Sequence, residues 1–268
     1  MQLRPEPEHR SRLERNVLQV RARIDRCARS CGRDPRDVQL LAVTKTVGVE
    51  TCRALLELGV RELGENRAES LVAKHEALAA CEPAPGWHYI GQLQRNKARR
   101  VLQAAAVVHS IDSLRLLESV ERICAEERLP RRGYLQLKLW PEEAKGGADP
   151  SELEALLDAA TRCRWFSIEG FMAMAPLVED ESASRRAAAE VFARCADLAR
   201  VHSARFRGGC RLSMGMSGDY DLAIAAGAHV VRVGSALYEG LPARGLDAQD
   251  AREGGAEGRM ASGSEDAR

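Results

Sequence analysis

The chain has 268 residues, 45% hydrophobic and 29% charged, with 40 basic against 39 acidic side chains and a net charge of +1. That length suits one large domain, the near-zero charge gives no global drive toward nucleic acid or an anionic membrane, and no apolar run approaches the roughly 18 residues of a membrane span. The opening stretch "MQLRPEPEHRSRLERN" is charged and lacks the apolar centre of a secretory signal, so a cytoplasmic location is expected.

Strand-like and helix-like segments alternate along the chain. Residues 8–31 predict a helix, with Leu13, Val17, Val20 and Ile24 on one face. "DVQLLAVTK" predicts the first strand and "VETCRALLELG" a helix closed by Gly59. The pairs "VRELGEN" and "RAESLVAKHEALAA", "WHYIG" and "RNKARRVLQAA", "AVVHSID" and "SLRLLESVERICAEE" repeat that order. "GYLQLKL" is the fifth strand, "WPEEAKGGADP" a loop, and "SELEALLDAATRC" a helix opened by a capping-box pattern. "WFSIEGFMAM" precedes a long helix around 182–203, "CRLSMGM" precedes "SGDYDLAIAAG", and "AHVVRVG" precedes the short "SALYEG".

Eight β–α units predict an α/β fold: a single parallel (β/α)8 TIM barrel over residues 1–241, with an extra N-terminal helix. An open doubly wound sheet would need fewer strands, and no G-x-G-x-x-G follows the first one. Residues 242–268 lose all apolar periodicity and are expected to be a disordered tail. The eight cysteines are scattered without a C-x-x-C pair, so they are read as reduced, buried small hydrophobes and not as metal or redox ligands.

A barrel of this kind builds its site at the carboxyl ends of its strands. The residues expected there are Lys45, Glu65, Asn66, His88, Ser110, Asp112, Lys138, Met172, Met174, Ser213, Ser217, Arg232, Gly234 and Ser235. "SMGMSGD" and "RVGSAL", after the last two strands, run through glycine and serine into helix starts. Free N–H groups and hydroxyls favour an anion in such loops, although ordinary capping gives the same pattern. Lysine is rarely buried unless paired or used. Lys45 at the barrel mouth, partly desolvated, can act as a nucleophile toward an aldehyde. An aldehyde carrying a phosphate therefore suits the site, and pyridoxal 5′-phosphate (PLP) meets that description. It would form a Schiff base with Lys45, its phosphate at Ser217, Gly234 and Ser235. Arg232 shares a strand face with that turn and could donate to the pyridine nitrogen, weakening the cofactor as an electron sink.

The blocks "LLAVTKTV", "LGENRAES", "WHYIGQLQRNK", "HSIDSLRL", "EEAKGG", "IEGFMAMAP" and "LSMGMSGDYDLAIAAGAHVVRVGSALY" resemble, in order, the pyridoxal phosphate homeostasis protein family over roughly residues 10–240. The resemblance implies a barrel similar to the N-terminal domain of alanine racemase (PLP fold type III-like), with PLP on Lys45. It implies a role in binding and distributing PLP without established turnover, with PLP-dependent apo-enzymes as candidate recipients. The sequence departs from the family pattern at Lys138, where asparagine is common, at Arg95 in "LQRNK", and at Thr44 in "TKT".

Several roles stay open at this level. His88 is either a satisfied interior histidine or a pocket residue. Asn66 either caps the following helix or meets the cofactor. Met172 either packs or lines one cofactor face. His109 is expected to face outward toward the helices. Arg95, Lys97, Arg99 and Arg100 form a solvated helix face or a docking surface for a PLP-dependent partner. A PLP-dependent racemase is the alternative function, but two-base racemisation needs an acid/base on each face of the substrate. In alanine racemases the second group is a tyrosine from an additional domain. Here only Tyr89, Tyr134, Tyr220 and Tyr238 exist, none clearly placed, and a monomer is expected.

Overall fold

The strands are short and most of their residues are buried, as in strands covered on both faces. In the computed structural model, which describes residues 7–141, 146–176 and 178–243, they close into a parallel barrel. The strands are β1 (Gln39–Val43), β2 (Glu62–Glu65), β3 (Gly86–Tyr89), β4 (Val107–Ile111), β5 (Arg131–Gln136), β6 (Phe166–Met172), β7 (Arg211–Ser213) and β8 (Val230–Val233). Each pairs with its sequence neighbours, and β1 closes the ring on β8 with Ala42 opposite Val233. The helices are α1 (Pro7–Ser30), α2 (Val49–Glu57), α3 (Ala68–Ala77), α4 (Arg95–Ala104), α5 (Leu114–Glu127), α6 (Leu153–Arg162), α7 (Glu181–Val201), α8 (Tyr220–Ala225) and α9 (Ser235–Tyr238). None of the helices described is long and apolar enough to cross a membrane.

The expected alternation and the extra leading helix are both present. The apolar face of α1, with Leu13, Val17, Val20 and Ile24 buried, packs on α8 and α9. Burying side chains of that size stabilises by roughly 1.5–3 kcal/mol each. Asn16 interrupts the stripe for a reason: its Nδ2 donates to the carbonyls of Leu237 (3.0 Å) and Glu239 (2.9 Å), satisfying groups that the end of α9 leaves open.

Most of the core lies between strands and helices. A smaller cluster of Leu41, Val107, Tyr134, Met172 and Val230 fills the barrel interior. Two strands depart from regular alternation. The pairing of β4 with β5 slips between Val108 and Ile111, and that of β5 with β6 slips between Gly133 and Tyr134. At the second slip a Cβ on Gly170 would lie 1.8 Å from the Arg211 carbonyl oxygen, so only glycine permits the approach.

Some expectations need correction. Counting from Val107, which faces inward, alternation brings His109 into the barrel interior, where it is fully buried beside Tyr134. The expectation that it faces the helices counted backward from Ser110, across the irregular end of β4. The fifth strand ends at Gln136 and not Leu139, and Leu137 keeps only an isolated bridge to Ala148. Cys31 is exposed, and only Cys52, Cys124 and Cys195 are buried; none of the eight forms a disulfide. Residues 142–145 of the predicted loop, and 244–268 of the predicted tail, lie outside the described residues.

Candidate functional site at the carboxyl end of the barrel

Lys45 is exposed, two residues beyond β1, in a turn closed by the Val47 N–H on the Thr44 carbonyl (3.1 Å). The pairing of Ala42 with Val233 sets this turn beside the turn that follows β8. A Cβ on Gly234 would reach Val43 at 3.4 Å, which measures how closely the two strand ends approach.

The turn after β8 presents backbone donors to one point. The N–H groups of Gly234 and Ala236 converge on Ser217 Oγ at 3.2 and 3.3 Å. Ser217 comes from the loop after β7, which Gly215 starts in a left-handed conformation (φ +91°). Asp219 Oδ1 accepts the Met216 N–H and fixes the same loop. Two donors aimed at a half-buried hydroxyl oxygen form a setting for an anionic oxygen. Ser235 is exposed at the same turn.

Arg232 lies below this turn, 4% exposed and facing the interior. Its Nη1 donates to Ser213 Oγ (2.8 Å) and its Nη2 to the Ala173 carbonyl (3.0 Å). Burial lowers its pKa to about 10, against the raising influence of Asp219, so it remains a cation at neutral pH. An amine, a guanidinium and two backbone N–H groups together suit a ligand with an aldehyde and a phosphate.

A second network braces Lys45 from behind. Lys74 Nζ donates to Glu65 Oε1 (2.5 Å) and to the Thr44 carbonyl (2.8 Å), and Thr44 Oγ1 donates to the same carboxylate oxygen (2.7 Å). The pair is nearly sealed, at 10% and 0% side-chain exposure. Lys74 was missed as a positioning residue, though a signal existed. It stands three residues after Leu71 and four before Leu78, both fully buried, so a lysine occupies the apolar stripe of α3.

A family model described as the N-terminal domain of alanine racemase matches residues 11–242. The pyridoxal phosphate homeostasis protein of Synechocystis sp. is 37% identical over 204 residues, which is 76% of this chain and 92% of that one. This chain belongs to the pyridoxal phosphate homeostasis protein family. The homeostasis protein of Pseudomonas aeruginosa is 34% identical over 228 residues, 85% of this chain and 95% of the relative. The solved structure of PipY from Synechococcus elongatus, with PLP bound, superposes with a TM-score of 0.71 at 33% identity, covering 84% of this chain and 99% of PipY.

In this homeostasis-family chain the remaining expected residues fall at three depths. Lys45, Ser217, Gly234 and Ser235 gather at the mouth, with Arg232 beneath them. Ser213 is fully buried and reaches the mouth only through Arg232. His88 lies deeper still, hydrogen-bonded to His109 and Glu62, so of its two open roles the structure gives it the interior one. Met172 is fully buried in the interior cluster. Asn66 is half-buried just after β2; it does not cap α3, whose N-cap is Arg67. Lys138 is half-buried beside Gln136, Trp140 and Met174, and its N–H is bound by the Ala148 carbonyl. On α4, Lys97 pairs with Glu69, and Arg99 with Glu126 and Glu127, so half of that basic cluster is engaged within the chain.

Proposed function

We propose that this protein binds PLP at the carboxyl end of its barrel and serves as a holder and distributor of the cofactor, without catalytic turnover of its own. The observation that carries the reading is the convergence of the Gly234 and Ala236 N–H groups on one oxygen beside the Lys45 turn. The PLP-bound relative at 33% identity supports it. Ser217, Gly234 and Ser235 would hold the phosphate, and Arg232 would meet the ring nitrogen. PLP would supply an electrophilic aldehyde, and Lys45 would be the amine that holds it covalently.

The chain's own residues do the rest. Lys74 and Glu65 fix the Thr44 carbonyl and so the base of the lysine. Asn66 and Met172 would close the site from the β2 and β6 sides. Arg232, being a donor only, would leave the ring nitrogen unprotonated. The placement of the tyrosines also favours a carrier. Tyr134 points to Glu169 in the interior, Tyr89 donates to the Gln92 carbonyl, Tyr220 lies under Arg23, and the Tyr238 hydroxyl is fully buried. We take the protein to act in the cytoplasm as a monomer that passes PLP to apo-enzymes.

The test is borohydride reduction of PLP-loaded protein followed by peptide mass mapping. The label is expected on Lys45, and Lys45→Ala should take up PLP without retaining it covalently. A label elsewhere, or none, would refute the reading. Rapid α-proton exchange of common amino acids by the loaded protein would favour a racemase instead.

A further inference from the structure

The barrel interior holds more polar side chains than packing calls for. Glu62, His88, His109, Ser213 and Arg232 come from five different strands, β2, β3, β4, β7 and β8, and join into one chain. Arg232 Nη1 lies 2.8 Å from Ser213 Oγ, which lies 2.8 Å from His109 Nδ1. His109 Nε2 lies 2.8 Å from His88 Nδ1, and His88 Nε2 lies 2.9 Å from Glu62 Oε2. The four inner members are 4% exposed or less, and only the Glu62 side chain, at 32%, reaches solvent at the amino-terminal end of the barrel. Gly86 makes room for its carboxylate: a Cβ there would lie 2.0 Å from Glu62 Oε2.

Counting protons gives the chain a direction. A guanidinium only donates, so Ser213 Oγ accepts from Arg232 and spends its own hydrogen on His109 Nδ1. His109 then carries its proton on Nε2 and donates to His88 Nδ1. His88 carries its proton on Nε2 and donates to Glu62, an acceptor only. The other arrangements that satisfy an ionised Glu62 put an imidazolium at His88, which reverses the His88–His109 and His109–Ser213 bonds, or at His109, which reverses only the His109–Ser213 bond. Either would place a second cation in the same dry interior as Arg232, which is costly. Burial, His88 and Arg232 together hold His109 neutral, and the hydrogen bond from His88 holds the Glu62 carboxyl low. Arg132 and Gln39 also face Glu62, and Asp219 faces Arg232.

We propose that Glu62 is the remote counterion of Arg232, joined to it by this one-directional hydrogen-bond chain, so that a carboxylate at the amino-terminal end of the barrel positions and polarises the guanidinium under the cofactor. Glu62, His88 and His109 are then positioning residues that act through Arg232. The role toward PLP rests on the function proposed above, whereas the chain itself does not.

Two measurements test it. Imidazole nitrogen NMR of the protein without added PLP should show His88 and His109 both neutral with the proton on Nε2. An imidazolium at His88, or a proton on Nδ1 of either ring, overturns the proposal. Glu62→Gln keeps the acceptor and removes the charge. It should shift the absorption maximum of bound PLP and weaken PLP binding about 2–10-fold. In a Ser213→Ala background, where the chain is cut, Glu62→Gln should have no further effect; additive effects, or an unmoved spectrum, overturn the proposal. Failure of the unaltered protein to bind PLP would refute the functional reading and leave the NMR result standing.

Discussion

The buried Lys74–Glu65 pair illustrates how much one side chain can matter at a site it never touches. Glu65 is fully buried, and Lys74 supplies both its counterion and a donor for the Thr44 carbonyl. Removing one member of such a pair leaves a charge stranded in the interior. Lys74→Met should cost about 3–5 kcal/mol in urea unfolding, whereas Lys45→Ala, at an exposed turn, should cost little. Two histidines set the acid side of the stability curve. Burial lowers the pKa of His229 to about 4 and that of His109 well below its ordinary value. Each binds a proton more readily unfolded than folded, so the stability it contributes is present above its unfolded pKa. That stability is lost as pH falls from about 6.5 toward the folded pKa, at up to about 1.4 kcal/mol per pH unit for each histidine. Urea midpoints measured between pH 7 and 5 should fall, and His229→Asn should flatten the decline by one such increment.

At the scale of elements, α1 and α9 form a clamp. The Asn16 amide holds two carbonyls at the end of α9, the short helix that begins at the turn after β8. Asn16→Ala leaves those carbonyls unpaired and should cost about 1–3 kcal/mol by thermal or urea unfolding, with faster release of bound PLP. The elements themselves were legible in the sequence, because apolar period and turn residues are local signals. The placement of Lys45, Ser217, Gly234 and Ser235 at the barrel mouth was legible too, since each stands past the end of a strand that the pattern locates. The interior was not. His109 was misplaced because alternation breaks within β4, and nothing local marks the slip. The partnership of Glu62, His88, His109 and Ser213 joins strands up to 104 residues apart between adjacent members, a separation that periodicity cannot bridge. The end of β5 was overrun because "LQLKL" keeps a strand-like alternation past the last ladder pair at Gln136.

At the scale of the whole molecule, the large exposed hydrophobic side chains among the described residues are Leu18, Leu114, Val178 and Val201. They lie on α1, at the start of α5, before α7 and at its end, so the sequence gives no element a run of them. A stable homodimer usually needs a broad apolar patch. Sedimentation at increasing concentration should therefore give a single species with the mass of one chain, and a concentration-dependent shift would contradict the monomer. Ring closure has a further consequence for how the protein is made. Because β1 completes its hydrogen bonds only on β8, a growing polypeptide keeps its first strand half-paired until residues 230–233 have been translated. Lys45 is made early and the turn after β8 almost last, so the two are brought side by side only once the ring has closed.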